Sequence, residues 1–421
     1  MSGSLTLHLP GFQRFDCHRC THCCRDMLVP VTQSEMRRIL DSGWSERLPG
    51  VTLFHRRGCL ADRTHMLAHQ PDGACVFLSK DNLCRLHAET GVDIKPLPCR
   101  LFPFMPASAI DGLRMDLRCD CPSVAVNKGR SLHVHAQELA RLVGQMRLGP
   151  RLSAPAWSGR LRLNGREFAA VVEAFVRLLR GKALSPRDRL RAGCLLLDTL
   201  YEVRPHKVRG ERFVELMALL SEGAETDAAS RDSRPPTVPD RLDRLFRQWL
   251  FLHMLADDPH LLRAGRLART RQSWRRYGQS RAFLRGCGTI PRLRDGWPDI
   301  TFESVMQVRP APDDALEPVL RFIRVKLDAH AFAGPGYYRH DMIRGLTALL
   351  MSPALVGWAA RLRAAGAGRG ALATDDVIEG LRTTAMTFGL SPLMSRLSER
   401  LRLRSLAVPG GPSGLLGRYG P

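Results

Sequence analysis

Four cysteines fall within eight residues in "CHRCTHCC", from Cys17 to Cys24, and this density constrains the chain more than any other feature. On a straight helix at 100° per residue, the four sulfurs would share an arc of about 120°, yet Cys17 and Cys24 would stand ~10.5 Å apart along the axis. One helix therefore cannot wrap Cys17, Cys20, Cys23 and Cys24 around a single centre. Either the segment folds back as a loop, or it recruits ligands from elsewhere in the chain.

Such ligands are close in sequence, because ten of the 12 cysteines precede residue 122. The stretch "ACVFLSKDNLCRLH" predicts a β-hairpin with two apolar strands around the polar turn "SKDN". If Leu78 lies opposite Leu83, Phe77 faces Cys84 and Cys75 stands two positions along the same face. That diagonal spans ~7 to 8 Å, within reach of one metal or cluster over the sheet. In "KPLPCRLFPFMP", four prolines restrict the backbone around Cys99, with Phe102 and Phe104 as candidate shields against water. "RCDCPS" adds Cys119 and Cys121, and Cys59 completes a set of ten thiols.

Tetrahedral zinc takes four Cys or His ligands, and iron–sulfur clusters are usually held by four Cys, so spacing leaves both open. His18, His22, His65, His69 and His87 are the histidines available to replace a thiolate, although each alone reads as an ordinary surface or packed side chain. Buried inert cysteines and disulfides are the competing readings. Against disulfides, the amino terminus has neither a basic opening nor a long apolar stretch, so no secretory signal is expected. That places the chain in the cytoplasm, where thiols stay reduced and clustered cysteines favour metal. A thioredoxin-like reading of "CHRC" is disfavoured, since no strand is expected before it and no βαβ pattern after it.

The cysteine step divides the chain. Residues 1–130 are expected to form a small irregular α+β cysteine-cluster domain, in which "TQSE" (Thr32 to Glu35) opens a short helix through a capping box. Beyond it apolar residues recur at helical spacing, so the fold class is mainly α. Phe168, Val171, Val172, Phe175, Leu178 and Leu179 form one stripe, and Leu190, Cys194, Leu197 and Tyr201 another, within a helical region over 131–222. Residues 223–240, polar and Pro-rich, read as a linker or long loop. A second helical region over 241–405 carries Leu242, Leu245, Phe246, Trp249 and Leu250, then Leu316, Leu320, Ile323 and Leu327. Thr374 is a candidate cap for a helix through Phe388. Residues 406–421 read as a flexible tail. The longest apolar run, "LTALLMSPALVGWAA", is short for a membrane span and is expected to break at Pro353. Cys194 belongs on an apolar stripe, and Cys287 lies in a loop.

The formal charge of +22 invites a nucleic-acid partner, but residues 1–130 hold 17 Lys+Arg against 13 Asp+Glu, and the excess is scattered arginine. A solvated basic surface is the plainer reading. The cluster "RTRQSWRRYGQSR" (269–281), with Trp274 and Tyr277 interleaved, keeps a nucleic-acid partner open.

The succession "CHRCTHCC", "ACVFL", "CRLH", "PLPCRLFPF" and a closing Cys-Pro resembles the YkgJ-type CxxCxxCC family of zinc- or iron-chelating domains, over roughly residues 15 to 125. The resemblance implies Cys17, Cys20, Cys23, Cys24, Cys75, Cys84, Cys99 and Cys121 as metal ligands, with Cys119 a near-equal candidate for the last place and Cys59 outside the pattern. Longer members with a helical carboxyl-terminal part include flagellin lysine N-methylases, which this architecture resembles. That implies S-adenosylmethionine-dependent methyl transfer to a lysine of a protein substrate such as flagellin.

Catalysis of this kind rests on the family resemblance, whereas metal binding rests on the residues. No glycine-rich turn stands between a strand and a helix, and there is no Walker A loop, HExxH or GxSxG. "YYRHD" (337–341) offers His340 and Asp341 as acid–base groups, but it reads more simply as a loop entering a helix. The alternative to a methylase is a zinc-stapled, non-enzymatic module whose basic helices bind a protein or nucleic acid.

Overall fold

A computed structural model describes residues 7–57, 64–146, 155–230, 236–255 and 266–421. Cys59 lies outside the described residues. The fold is mainly α, as the periodicity predicts, with small sheets in the amino-terminal part and one two-stranded ribbon of Ala156–Ser158 and Leu161–Arg162 leading into the helices.

In chain order the first third holds β1 (Leu7–His8), β2 (Arg14–Phe15), α1 (His22–Arg25), β3 (Pro30–Val31), α2 (Gln33–Asp41), α3 (Trp44–Arg47), β4 (Phe54–Arg57) and β5 (Thr64–Leu67). It continues through α4 (Arg85–Thr90), α5 (Leu97–Leu101), β6 (Phe104–Ser108), β7 (Leu113–Leu117), α6 (Pro122–Ala125), β8 (Arg130–Ser131) and α7 (Ala136–Val143). A two-residue strand, β2, thus does precede "CHRC", but its partner is the antiparallel β8 and not part of a βαβ unit. The expected capping box is present: Thr32 Oγ1 accepts from the Glu35 amide while the Glu35 carboxylate accepts from the Thr32 amide.

Packing separates two hydrophobic cores. The smaller gathers Val29, Val31, Ile39, Trp44 and Phe77, with Trp44 set edge-on to Phe77 at 5.3 Å between centroids. Cys75, Cys84 and Cys99 pack against it. The larger starts at Phe15 and takes in β6, β7 and Cys121 before running through the helices. β7 is the centre of a three-stranded sheet, parallel to β1 and antiparallel to β6. From its buried face Asp116 accepts a hydrogen bond from Lys326 Nζ at 2.7 Å, which ties the sheet to the helices; a charge so far from water needs such a partner.

The helical part comprises α8 (Gly165–Arg180), α9 (Pro186–Leu200), α10 (Glu211–Ala229), α11 (Asp240–Met254), α12 (Arg266–Arg285), α13 (Phe302–Gln307), α14 (Glu317–Asp328), α15 (Met342–Gly366), α16 (Thr374–Ala385), α17 (Leu397–Leu406) and α18 (Gly411–Tyr419). The stripes of α8 and α9 are buried, Cys194 among them.

Four expectations need correction. α15 does not break at Pro353 but runs on for 25 residues. Pro353 has no amide to offer the Leu349 carbonyl, and Ser352 Oγ donates to that carbonyl at 2.6 Å instead. By length and composition α15 is apolar enough to cross a membrane, yet it lies buried inside the fold as the central core helix. The expected linker over 223–240 begins inside α10, where Ser221, Ala224 and Ala228 form a small-residue stripe buried against the fold; the polar letters between them face water. The expected flexible tail forms α18. Its Leu415 and Tyr419 are buried, and Gly357 of α15 leaves room for the chain, since a Cβ there would strike the Tyr419 carbonyl. Finally, Thr374 is the first residue of α16, one position inside the cap at Ala373.

Candidate metal centre

The segment from Cys17 to Cys24 folds back as a loop. Asp16 fixes its entry by accepting from the Arg130 amide and guanidinium at 2.9 Å each, which holds the carboxyl down at about 2. Arg19 and Thr21 both take the left-handed conformation, with φ of 54° and 62°, and reverse the chain. The Thr21 carbonyl then accepts from the Cys24 amide at 2.8 Å, closing the single turn α1. Cys17 and Cys20 are left exposed, whereas Cys23 and Cys24 are half-buried with their sulfurs 4.0 Å apart.

The second contribution comes from residues 75–84. The Cys75 amide donates to the Cys24 carbonyl at 2.7 Å, joining the two thiol-bearing segments directly. The hairpin is shorter than expected and its register is different: Leu78 bridges Cys84 instead of Leu83, and the Arg85 amide donates to the Phe77 carbonyl at 2.8 Å. Asn82 absorbs the extra residue at φ 60°, and α4 begins immediately after Cys84. Gln70 Nε2 steadies this turn by donating to the carbonyls of Cys75 and Leu78, at 3.0 and 3.2 Å.

Cys99 sits on α5. Its amide donates to the Pro96 carbonyl at 2.9 Å, and the helix start is held from outside by Glu35, whose Oε1 accepts from the Leu97 amide at 2.7 Å. One buried carboxylate therefore caps α2 and fixes the approach of Cys99. The capping role is legible in "TQSE", but the bond across 62 residues is not.

These thiols feel one another. The hydrogen bond between Cys23 and Cys24, and then burial, raise Cys23 far above the ordinary thiol value. Burial pushes Cys75 up to about 12, with Cys84 and Cys23 adding to the effect, and burial pushes Cys99 well up, with Cys75, Cys84 and Cys23 adding. The Lys95 ammonium opposes the rise at Cys23, Cys75 and Cys99, a neighbour that sequence reading missed. Cys23, Cys24, Cys75, Cys84 and Cys99 thus form one neighbourhood. Cys23, Cys75 and Cys99 keep their protons unless a cation takes the place of those protons.

The remaining candidates stand apart. Burial pushes Cys121 up to about 12, and its thiol neighbour is Cys20. Cys119 is also raised to about 12 by burial, but Lys326, Asp116 and Arg321 surround it. The stretch therefore splits: Cys20 faces Cys121, and Cys23 faces the other group. His18 Nδ1 lies 2.9 Å from Ser123 Oγ, while His65 is on β5 and His87 on α4. His22 is buried, which alone would depress it, but Asp120 and Asp26 hold it up at about 9. Its Nδ1 is 2.8 Å from Asp26, and its Nε2 is 3.6 Å from Asp120, which Arg118 grips with two nitrogens. Among the described residues, no three or more His, Cys, Asp or Glu side chains stand close enough together to hold a metal ion as they are placed. The donor chemistry nevertheless fits a soft metal. In a tetrahedral site with metal–sulfur bonds of 2.3 Å, two ligand sulfurs are about 3.8 Å apart, close to the 4.0 Å between Cys23 and Cys24.

Residues 16–122 match the CxxCxxCC family model, described as "Putative zinc- or iron-chelating domain". The match takes in every cysteine of both thiol groups and supports metal binding by this part of the chain. No curated protein and no solved structure matches the chain.

Proposed function

We propose that the CxxCxxCC part binds a single zinc or iron ion in a closed, four-thiolate site, with Cys23 and Cys24 as an adjacent pair and two of Cys75, Cys84 and Cys99 completing it. The carrying observation is the convergence of five cysteines from three segments, two of them with sulfurs 4.0 Å apart. When bound, the metal supplies cross-linking energy: a closed four-thiolate site is structural, and it joins elements that share only a small core. Lys95 offsets part of the thiolate charge, Glu35 sets the angle of Cys99, and the Cys24–Cys75 backbone bond sets the spacing of the first two segments.

Metal analysis of anaerobically purified protein, with an absorption spectrum, tests this reading. One colourless zinc, or one iron with thiolate charge-transfer bands and no acid-labile sulfide, supports it. An iron–sulfur cluster, the other cofactor that the cysteine set admits, would show labile sulfide and replace it. Methyl transfer from S-adenosylmethionine to a protein lysine rests on the family resemblance alone. Labelled S-adenosylmethionine with flagellin as acceptor tests it separately.

A further inference from the structure

We infer that the exposed face of α12 binds single-stranded nucleic acid. From Pro259 to Arg294 the chain has no Asp or Glu and ten arginines. The helix is anchored at its carboxyl end by Phe283, which is fully buried against Phe251, Phe302 and Trp358 at centroid distances of 5.4, 5.2 and 5.4 Å, and by the Leu284 carbonyl, which accepts from Arg247 Nη2 at 3.1 Å. On the opposite side Trp274 is 71 % and Tyr277 56 % exposed, large values for rings that a core would normally take up. The two rings meet edge-to-face at 6.4 Å, and the Arg281 guanidinium lies over Tyr277 at 6.0 Å.

Helical spacing places Arg271, Trp274, Tyr277, Arg281 and Arg285 along one side of the helix, over ~21 Å at 1.5 Å per residue. All five are exposed, and among the described residues no carboxylate pairs with these three arginines or with Arg275. Unpaired guanidinium groups in a tract free of acids complement a phosphate backbone. Exposed rings between them give bases a surface to stack on, a combination that binds single strands without reading their sequence. An anionic membrane is the less suitable occupant, because arginines interrupt the ring-bearing stripe and leave no continuous apolar face to insert.

The test uses the full chain, metal-loaded, with labelled 15-residue oligodeoxythymidine and oligouridine, a duplex of equal length, and vesicles of phosphatidylserine and phosphatidylcholine. Anisotropy is expected to show single-strand binding that weakens with salt, with a log–log slope of about two if three arginines each engage a phosphate. Trp274→Ala and Tyr277→Ala are each expected to weaken it about tenfold while leaving the slope unchanged. Arg281→Gln or Arg285→Gln is expected to lower the slope by about 0.7. These are exposed positions, so circular dichroism melting of each variant is expected to match the parent. No single-strand binding, equal loss for duplex and single strand in the ring variants, or retention by vesicles but not by oligonucleotides would overturn the inference.

Discussion

Arg382, on α16, donates from Nε to the backbone carbonyl of Asp120 at 3.1 Å, and its Nη2 lies 3.2 Å from His22 Nδ1. One guanidinium from the helical part thus holds the turn that carries Cys121, and that turn reaches α1, the carrier of Cys23 and Cys24, through the Asp120–His22 ion pair. Arg382→Ala is expected to cost about 1 to 3 kcal/mol by leaving the Asp120 carbonyl without its donor. It is also expected to speed metal loss to a chelator. Urea midpoints and chelator half-times read the two effects, and an unchanged half-time would show that the bridge does not support the centre.

Cys84→Ser and Cys121→Ser separate the two thiol groups. The first removes a member of the five-cysteine neighbourhood and is expected to lower bound metal severalfold or more, whereas the second leaves stoichiometry near one per chain. Equal loss in both would mean that Cys20 and Cys121 belong to the same centre. Cys194→Ser, in the fully buried stripe of α9, is expected to leave metal content alone and cost about 1 to 3 kcal/mol for an unpaired buried hydroxyl.

Glu35 carries three hydrogen bonds, from the Thr32 amide, the Thr32 hydroxyl and the Leu97 amide, at 2.8, 2.7 and 2.7 Å. Glu35→Ala loses all of them, so a cost of about 2 to 3 kcal/mol is expected, against about 1 for Thr32→Ala, which loses a cap. Only the first is also expected to weaken metal retention, because only Glu35 reaches α5. Matching chelator half-times for the two variants would remove that role.

Three histidines of the helical part sit neutral. Burial lowers His253 to about 3; burial, with Arg114 next, lowers His330 to about 4; and burial, with Arg400 and Arg344 next, lowers His340 to about 4. Their folded values lie below the ordinary 6.5, so the unfolded chain binds more protons over that interval. The contribution of these three histidines to stability is therefore full above about pH 6.5 and falls as pH drops towards 4, by at most about 1.4 kcal/mol per pH unit for each. Urea titration of the Cys23→Ser/Cys24→Ser variant at pH 7.5, 6 and 5 checks this without interference from metal release. Asp198, which burial raises to about 6, and His22, held up at about 9, push the other way as pH falls. The titration is therefore read in the Asp198→Asn background between pH 6 and 5, where a flat midpoint would require that these histidines be protonated in the fold.

The helices were legible because Phe168 to Leu179 and Leu190 to Leu197 repeat at helical spacing with buried outcomes, and Thr32 and Glu35 announce their own cap. The residues of the candidate centre were legible as a set, but their grouping was not. Whether Cys20 faces Cys121 or Cys23 depends on left-handed Arg19 and Thr21, neither of which is a glycine that would advertise the turn. The pairing of Cys84 with Leu78 moved by one residue because Asn82 took up a left-handed position. Arg382 and Asp120, 262 residues apart, leave no periodic trace. Small residues misled the reading of α10 and α18, since Ala224, Ala228 and Gly357 bury by close approach rather than by bulk.

Cys17 to Cys24 lies where the two cores meet, with one end turned towards Cys121 and the other towards Cys75 and Cys99. The same eight residues that gather the ligands also close a seam in the molecule. Without its ion the seam keeps polar links such as His22 to Asp120 and His18 to Ser123, but the exposed loop through Arg19 is expected to open to a trypsin-like protease.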